Sequence, residues 1–171
     1  SSRKGEINEM KKVLIGLYEK VEEILEPGTL EAGDIMMVGN HYYIGLSERT
    51  NSFGAKQLIE ILNKYGLTGS TISLEKFLHL KSGVSYLENN NLLVSGEFIN
   101  KPEFQKFNLI LIEDHESYAA NSLWINDTVL VPLGFPKTKK KIEQLGYNTL
   151  EVDVSEFRKL DGGLSCLSLR F

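Results

Sequence analysis

The chain has 171 residues, of which 42% are hydrophobic and 25% are charged, and its formal net charge is −4. These values predict a single globular domain that spans residues 1–171. An acidic surface repels nucleic-acid phosphates, so we expect no nucleic-acid partner. No apolar run reaches the roughly 18 residues of a membrane helix, and no secretory signal begins the chain. We therefore expect a cytoplasmic protein without a membrane partner.

Cys166 is the only cysteine in the sequence. A single cysteine excludes an internal disulfide and any multi-cysteine metal site, which leaves packing, redox or nucleophilic roles. Judged alone, such a residue is most often a small buried hydrophobe. However, Gly162 and Gly163 precede it, and two glycines allow a sharp turn that can present a thiol at the end of a strand.

Two segments have the pattern of amphipathic helices. From about Glu6 to Ile24 the apolar residues recur at steps of three and four, and Pro27 with Gly28 ends this segment. A second helix is predicted from about Asn51 to Lys64, with Thr50 as its N-terminal cap.

Hairpin-forming segments recur along the chain. Each contains two short apolar runs separated by turn residues, and the paired runs are Ile35–Val38 with Tyr42–Ile44, Val84–Leu87 with Leu92–Val94, and Leu123–Ile125 with Val129–Val131. The other expected elements are strands at Leu109–Ile112, Thr149–Val152 and Leu164–Arg170 and a helix at Lys137–Leu145. A unit of hairpin, helix and returning strand, repeated at roughly 35 to 50 residues, favours a helix-decorated α/β propeller over a doubly wound sheet. The first helix and the last strand would then be half-units of an open ring.

A cysteine nucleophile needs a proton-transfer partner, which is usually a histidine elsewhere in the sequence. His79 is the favoured one of the three histidines because it is a polar residue among apolar neighbours, although a structural role is equally open. His41 lies in a predicted turn and His115 lies between acidic residues. The spacing of the histidines forms no metal motif, so we expect no metal site.

Two acidic residues and one arginine complete the candidates. Glu31 and Asp34 lie in a turn that opens a strand, where either could orient an imidazole or hold a cation, and where both could simply face water. Arg49 lies between a strand end and a helix start, where its planar guanidinium could bind a carboxylate through two parallel hydrogen bonds.

Taken together and in order, these segments resemble the dimethylargininase branch of the guanidino-group-modifying enzymes, the superfamily that also contains arginine deiminase and the amidinotransferases. The motifs that carry the resemblance are Leu30-Glu31-Ala32-Gly33-Asp34, Gly45-Leu46-Ser47, Arg49-Thr50-Asn51, Leu78-His79-Leu80-Lys81-Ser82 and Asp161-Gly162-Gly163-Leu164-Ser165-Cys166-Leu167-Ser168. The segment Ser2-Arg3-Lys4-Gly5-Glu6 also looks like a family segment.

The resemblance implies a five-bladed α/β propeller, the pentein fold. It implies that Cys166 is the nucleophile, that His79 is the general acid and base, and that Glu31 is the carboxylate near that histidine. The substrate-binding positions that it implies are Arg3 and Arg49 for the α-carboxylate, together with Leu30, Leu160 and Asp161. The implied reaction converts a methylated arginine to citrulline and an alkylamine through a covalent thiouronium on Cys166. It needs no metal and no organic cofactor.

The sequence departs from the family pattern at two points. Ala32 stands where the family usually has glycine, and the N-terminal portion of the family, with its acidic guanidinium-binding residues, has no counterpart here. We therefore expect the 171-residue chain alone to be inactive, or to need a complementing N-terminal segment or a homo-oligomeric partner. The alternatives are an arginine deiminase, which releases ammonia from arginine, and a non-catalytic propeller module that binds a ligand.

Overall fold

We describe the protein from a computed structural model, which defines residues 5–168. Within this range the helices are α1 (Glu6–Leu17), α2 (Ser52–Lys64), α3 (Pro136–Glu143) and α4 (Ser155–Arg158). The strands are β1 (Ile35–Val38), β2 (His41–Leu46), β3 (Thr68–Ser73), β4 (Val84–Tyr86), β5 (Asn91–Val94), β6 (Asn108–Leu111), β7 (Leu123–Ile125), β8 (Thr128–Pro132) and β9 (Asn148–Val152). Short 3₁₀ helices connect several of them.

The strands form three-stranded sheets that share one topology, in the orders β1-β2-β3, β4-β5-β6 and β7-β8-β9. In each sheet the first two strands are antiparallel and the third is parallel to the second. A parallel neighbour requires a crossover connection. Helices α2 and α3 supply it in the first and third units, and two 3₁₀ helices at Gly96–Asn100 and Pro102–Phe104 supply it in the second. The predicted unit of hairpin, helix and returning strand is present in the first and third units, and in the second unit two 3₁₀ helices take the place of the predicted helix.

The hydrophobic core consists of two clusters, each shared by successive units. The first joins units one and two, and its buried residues are Met36, Tyr43, Ile72, Leu80, Val84, Leu92, Val94, Phe98, Phe104 and Phe107. The second joins units two and three, and its buried residues are Leu87, Leu93, Ile110, Ile112, Ala120, Val129, Val131 and Ile142. Burial of one large apolar side chain contributes roughly 1.5–3 kcal/mol. The units are therefore held together by their shared cores.

The first strands of the units lie side by side, because β1 contacts β4 and β4 contacts β7. A cavity of about 330 Å³ lies among them, and its lining includes Met36 of β1, Ser85 of β4 and Trp124 of β7. The first strands of successive units are thus neighbours, and all three contribute to the lining of one cavity.

Three predicted elements differ from the structure, and each difference has a tertiary cause. Helix α1 ends at Leu17 rather than near Ile24, and Leu25 instead forms two 2.8 Å hydrogen bonds with the side chain of Gln57, through its N–H and its C=O. The cap of α2 is Asn51, whose Oδ1 accepts from Gly54 N at 2.8 Å, because the Thr50 hydroxyl is engaged elsewhere.

The predicted last strand is wrong over the part that the structure describes. Residues Leu164–Leu167 form a 3₁₀ helix, in which Cys166 N donates to Gly163 O at 3.0 Å. The side chain of Asn121 also binds this segment through Ser165. Residues 169–171 lie outside the described range. Among the described helices, none is long and apolar enough to cross a bilayer.

Candidate functional site

A cleft of about 470 Å³ opens where the first and third units face each other. Its lining comes from four parts of the chain, and the residues are Gly33, Lys76, Phe77, Leu78, His79, Lys81, Ser82, Tyr118, Asn121, Arg158, Asp161, Gly163, Ser165 and Cys166. The thiol of Cys166 is free and exposed, whereas the side chain of His79 is only 15% exposed. The fold therefore brings together the two residues that the sequence analysis selected as nucleophile and acid–base.

The imidazole of His79 is held by the fully buried carboxylate of Asp34. His79 Nδ1 lies 3.2 Å from Asp34 Oδ1, and the same oxygen accepts from Leu80 N at 3.1 Å. The other oxygen of Asp34 accepts from the hydroxyls of Ser47 and Thr50, both at 2.7 Å. With four donors around it, a buried carboxylate has its lone pairs satisfied and its orientation fixed.

Glu31 lies on the other side of the imidazole. Its Oε2 is 3.9 Å from His79 Nε2 and 3.7 Å from a guanidinium nitrogen of Arg49. Its backbone N–H donates to the Thr50 hydroxyl at 3.0 Å, which ties it to the same network as Asp34. The expected carboxylate near His79 is therefore close by, but the hydrogen-bond distance belongs to Asp34.

Gly33 forms the floor beneath the histidine ring. A Cβ built on Gly33 would lie 2.8 Å from His79 Cγ, closer than non-bonded carbons approach. The close contact explains why the motif needs a residue without a side chain between Glu31 and Asp34. Ala32, where the sequence departs from the family pattern, is exposed and lines the cavity among β1, β4 and β7 instead.

Asn121 fixes the segment that carries Cys166. Its amide nitrogen donates to Ser165 Oγ at 3.0 Å, and its amide oxygen accepts from Ser165 N at 2.9 Å. Gly163 lies directly against it, because a Cβ there would be 2.6 Å from the amide nitrogen. Asn121 is 6% exposed, so this paired bond is shielded from water and holds the residue next to the thiol in place.

Tyr118 and Arg158 line the cleft near Cys166. The Tyr118 hydroxyl donates to Gly162 O at 2.6 Å, and the Arg158 guanidinium stacks 4.7 Å above the Tyr118 ring and 5.3 Å above the Phe135 ring. Burial raises the pKa of Tyr118, the nearby Cys166 adds to this, and Arg158 opposes it. Tyr118 therefore remains a neutral donor at physiological pH.

The other expected substrate-binding residues fall in different places. Asp161 lines the cleft with a left-handed backbone at φ 59°. Leu30 is half-buried beside Glu31, Leu160 is 87% exposed, and Leu160 and Arg49 lie outside the lining of the cleft. Arg3 lies outside the described residues. Their roles stay predictions.

Asn121 and Tyr118 were not predicted as positioning residues, and Asp34 was one of two alternatives for the acid that orients the imidazole. Asn121 and Tyr118 contact the cysteine segment from 44 positions away in the chain, and no local pattern marks that contact. For Asp34 a signal was present, since a buried acid needs several donors, and Ser47 and Thr50 are suitable donors at the next strand end.

The network around Asp34 leads to a first prediction. Asp34→Asn replaces one acceptor oxygen by a donor, so at least one of the buried donors loses its partner. We expect the free energy of unfolding to fall by roughly 1–3 kcal/mol in urea denaturation. Glu48→Gln, an exposed acid in the adjacent loop, is the control and should change it by less than about 0.5 kcal/mol. Equal effects of the two variants would contradict the assigned network.

The contact between Gly163 and Asn121 gives a second prediction. Gly163 has φ −120°, which any residue can adopt, and the atoms nearest to a Cβ at Gly163 all belong to the Asn121 side chain, at 2.6 to 3.0 Å. We expect a loss of about 1–3 kcal/mol in the free energy of unfolding. The loss should shrink by about 1 kcal/mol or more in an Asn121→Ala background, as measured by a double-mutant cycle. Strictly additive effects of the two substitutions would show that the contact between Gly163 and Asn121 does not cause the loss of stability.

Comparison with known proteins identifies the family of this chain. A family model described as "Arginine deiminase" matches residues 9–118. An N(G),N(G)-dimethylarginine dimethylaminohydrolase from Pseudomonas aeruginosa is 59% identical over 171 residues, which cover 99% of this chain and 67% of that relative. A solved structure of a variant of dimethylarginine dimethylaminohydrolase from Pseudomonas aeruginosa, complexed with citrulline, matches with a TM-score of 0.97 and 58% identity, over 100% of this chain and 68% of the other.

A more distant match is the N-terminal domain of ArgZ, an arginine dihydrolase from cyanobacteria. Its TM-score is 0.87 at 22% identity, over 97% of this chain and 65% of the other, and it supports the α/β fold alone. The chain thus spans about two thirds of the length of these relatives. With a family match over more than half of its residues and a relative of this identity, the chain belongs to the arginine deiminase family, in its dimethylarginine dimethylaminohydrolase branch.

Proposed function

We propose that this chain carries the nucleophile and the general acid–base of a hydrolase that converts an Nω-methylated arginine to citrulline and an alkylamine. The observation that carries the proposal is that the exposed thiol of Cys166 and the ring of His79 line one cleft. The relative from Pseudomonas aeruginosa that is named for this activity, and the matching structure that holds citrulline, support it.

The reaction follows from the chemistry of the two groups. The Cys166 thiolate attacks the guanidinium carbon, and the carbon passes through a tetrahedral state. The bond to the methylated nitrogen breaks, and the departing amine takes a proton from His79. This leaves a thiouronium on the sulfur. Water, activated by the now neutral His79, adds to the same carbon and releases the thiolate and citrulline. No redox step occurs.

The surrounding residues have separate tasks in this proposal. Asp34 fixes the tautomer and orientation of His79, because its oxygen accepts from Nδ1. Nε2 then faces Glu31 and is the atom that exchanges the proton. Glu31 stabilises the imidazolium and also forms an ion pair with Arg49 at 3.7 Å. Asn121 places Cys166 through its bonds to Ser165.

Substrate binding completes the proposed site. Arg3 and Arg49 bind the α-carboxylate, and Leu30, Leu160 and Asp161 contact the rest of the amino acid, as the family resemblance implies. Lys76, Lys81 and Arg158 make the lining of the cleft predominantly positive. A positive lining disfavours a guanidinium, so this chain by itself offers the cation little compensation. The acidic guanidinium-binding residues of the family would have to come from elsewhere.

We extend the proposal to the whole protein. The three described units form one domain and correspond to blades of a five-bladed propeller, whose remaining blades come from a complementing N-terminal segment. The exposed apolar side of α1, with Ile7, Met10 and Val13 between 51% and 62% exposed, suits such a neighbour or a second copy of the chain. A cytoplasmic location belongs to the same proposal.

An arginine deiminase is the second candidate, because the matching family model bears that description. The two enzymes differ in the leaving group, which is ammonia from arginine and dimethylamine from dimethylarginine. A non-catalytic module is a third candidate that retains the fold alone. The joint presence of Cys166 and His79 in one cleft favours an enzyme over such a module.

The role of Cys166 gives the third prediction. In the full-length protein, Cys166→Ser should lower citrulline formation from dimethylarginine by about a thousandfold or more, because a serine hydroxyl is far less ionised than a thiol. Ser73→Ala, which replaces an exposed serine at the end of β3 outside the cleft lining, is the control and should retain activity. Dimethylamine in the products supports the proposal, and ammonia from arginine would support the deiminase. Unchanged citrulline formation by Cys166→Ser would sink both enzymatic candidates.

The missing guanidinium contacts give the fourth prediction. The purified 171-residue chain should show no turnover alone, and addition of the N-terminal third of a close relative should restore citrulline formation. Colorimetric detection of citrulline at matched protein concentrations measures both. Turnover by the monomeric chain without any addition would refute the need for a complementing segment.

A further inference from the structure

The segment that carries His79 is a thin wall between two cavities. Residues 74–79 connect β3 to the 3₁₀ helix Leu80–Ser82 and form no regular structure. Lys76, Phe77 and Leu78 line both the cleft of Cys166 and a second cavity of about 770 Å³ on the opposite side. Leu74 and Phe77 pack against the first core cluster, and Leu74 N donates to Leu46 O at 3.2 Å. The backbone between these two residues needs hydrogen-bond partners of its own.

The carboxylate of Glu97 provides that constraint from the second unit. Its two oxygens accept from Glu75 N at 3.2 and 3.0 Å, and Oε1 also accepts from Lys76 N at 2.8 Å and Phe77 N at 3.2 Å. Three successive backbone donors therefore converge on one acidic side chain, an arrangement that suits an anion. The side chain is 8% exposed, and Lys101 Nζ lies 3.6 Å from it.

Glu97 is attached to a rigid part of the molecule. The next residue, Phe98, is fully buried in the first core cluster and packs against Phe77 with a ring-centroid distance of 5.0 Å. The preceding residue, Gly96, has φ 53°, and a Cβ there would lie 2.7 Å from the Phe77 ring. The wall is thus anchored to the core by the side chains of Leu74 and Phe77 and by the three amides that donate to Glu97.

The charge of Glu97 is retained in this environment. Its burial alone would raise its pKa, but the backbone donors of Lys76, Glu75 and Phe77, together with Lys101, lower it. A folded-state pKa below the unfolded value means that the carboxylate stabilises the fold above the ordinary pKa of a glutamate. This contribution is lost as the pH falls through the lowered value. At neutral pH the Glu97 carboxylate is therefore fully ionised.

We propose that Glu97 is a positioning residue, which fixes the wall of residues 74–79 and so sets where His79 meets the substrate. The proposal rests on the proposed function for its catalytic consequence. Its mechanical part, that Glu97 holds the wall, stands on the hydrogen bonds alone. His79 follows the last of these amides by two residues; its ring is bound by Asp34, and its C=O accepts from Ser82 N at 3.1 Å. Small displacements of a catalytic group cost large factors in rate.

The test compares Glu97→Ala with Glu103→Gln, an exposed acid on the neighbouring 3₁₀ helix, in the full-length protein. Amide hydrogen exchange measures directly how well the backbone of this wall is protected. In Glu97→Ala the amides of residues 75–79 should exchange at least about tenfold faster, while those of β5 keep their protection. The value of kcat should fall about tenfold or more, and alkylation of Cys166 by iodoacetamide, which needs no proton from His79, should change less than threefold.

Two further measurements separate positioning from general stability. Formate, a small carboxylate, should occupy the space left in Glu97→Ala and restore part of kcat in a saturable manner, whereas chloride at equal ionic strength should not. Glu97→Gln should lie between wild type and Glu97→Ala, because it keeps one acceptor oxygen for the three amides. Both results support the proposal.

Three outcomes overturn it. They are unchanged exchange in residues 75–79, unchanged kcat in Glu97→Ala, and a loss of β5 protection and Cys166 alkylation in parallel with kcat, which would make Glu97 merely structural. A full-length wild-type protein that releases no citrulline would instead count against the proposed function. In that case the exchange data still decide whether Glu97 holds the wall.

Discussion

The buried carboxylate of Asp34 connects the first unit to the segment that carries His79, and the candidate site depends on that connection. Its oxygens are shared between two hydroxyls at the end of β2, one backbone amide and one imidazole. Removal of a charge from water is costly unless every lone pair finds a donor, and here each donor also has a structural task. The hydroxyl of Thr50, for example, accepts from Glu31 N as well as donating to Asp34. The network therefore fixes the loop, the acid and the histidine as one body.

The architecture could largely be predicted from local patterns, because turn residues and alternating apolar runs report directly on hairpins. Strand β3 was not predicted, since its sequence of Gly, Ser and Thr lacks the apolar run that marks a strand. It forms because β2 offers a parallel edge with matching register. The end of α1 and the segment after Gly163 were misjudged for a related reason. In both, side chains distant in sequence, Gln57 and Asn121, bind the backbone and override the local periodicity.

Some residues of the candidate site could be predicted from the sequence and others could not, for the same reason. Cys166 and His79 could be selected because they belong to residue types with few roles, and an ordered set of motifs narrowed those roles further. The residues that position them could not be selected, because an asparagine or a glutamate in a sequence carries no mark of what it binds. Asn121 and Glu97 become recognisable only when the backbone donors or acceptors that face them are known. Residue type and motif order thus identify the reacting groups, whereas the three-dimensional structure is needed to identify the residues that position them.

The arrangement of the two core clusters also constrains how the sequence of this chain can change. Strand β5 contributes Leu92 and Val94 to one cluster and Leu93 to the other, and all three are fully buried. Alternate side chains of one short strand therefore have to fit two independent packing arrangements, and a shift of register by one residue would exchange them. Strand β9, by contrast, has no residue buried to that degree. A substitution in β5 therefore has to satisfy both core clusters, whereas a substitution in β9 meets no such constraint from a fully buried position.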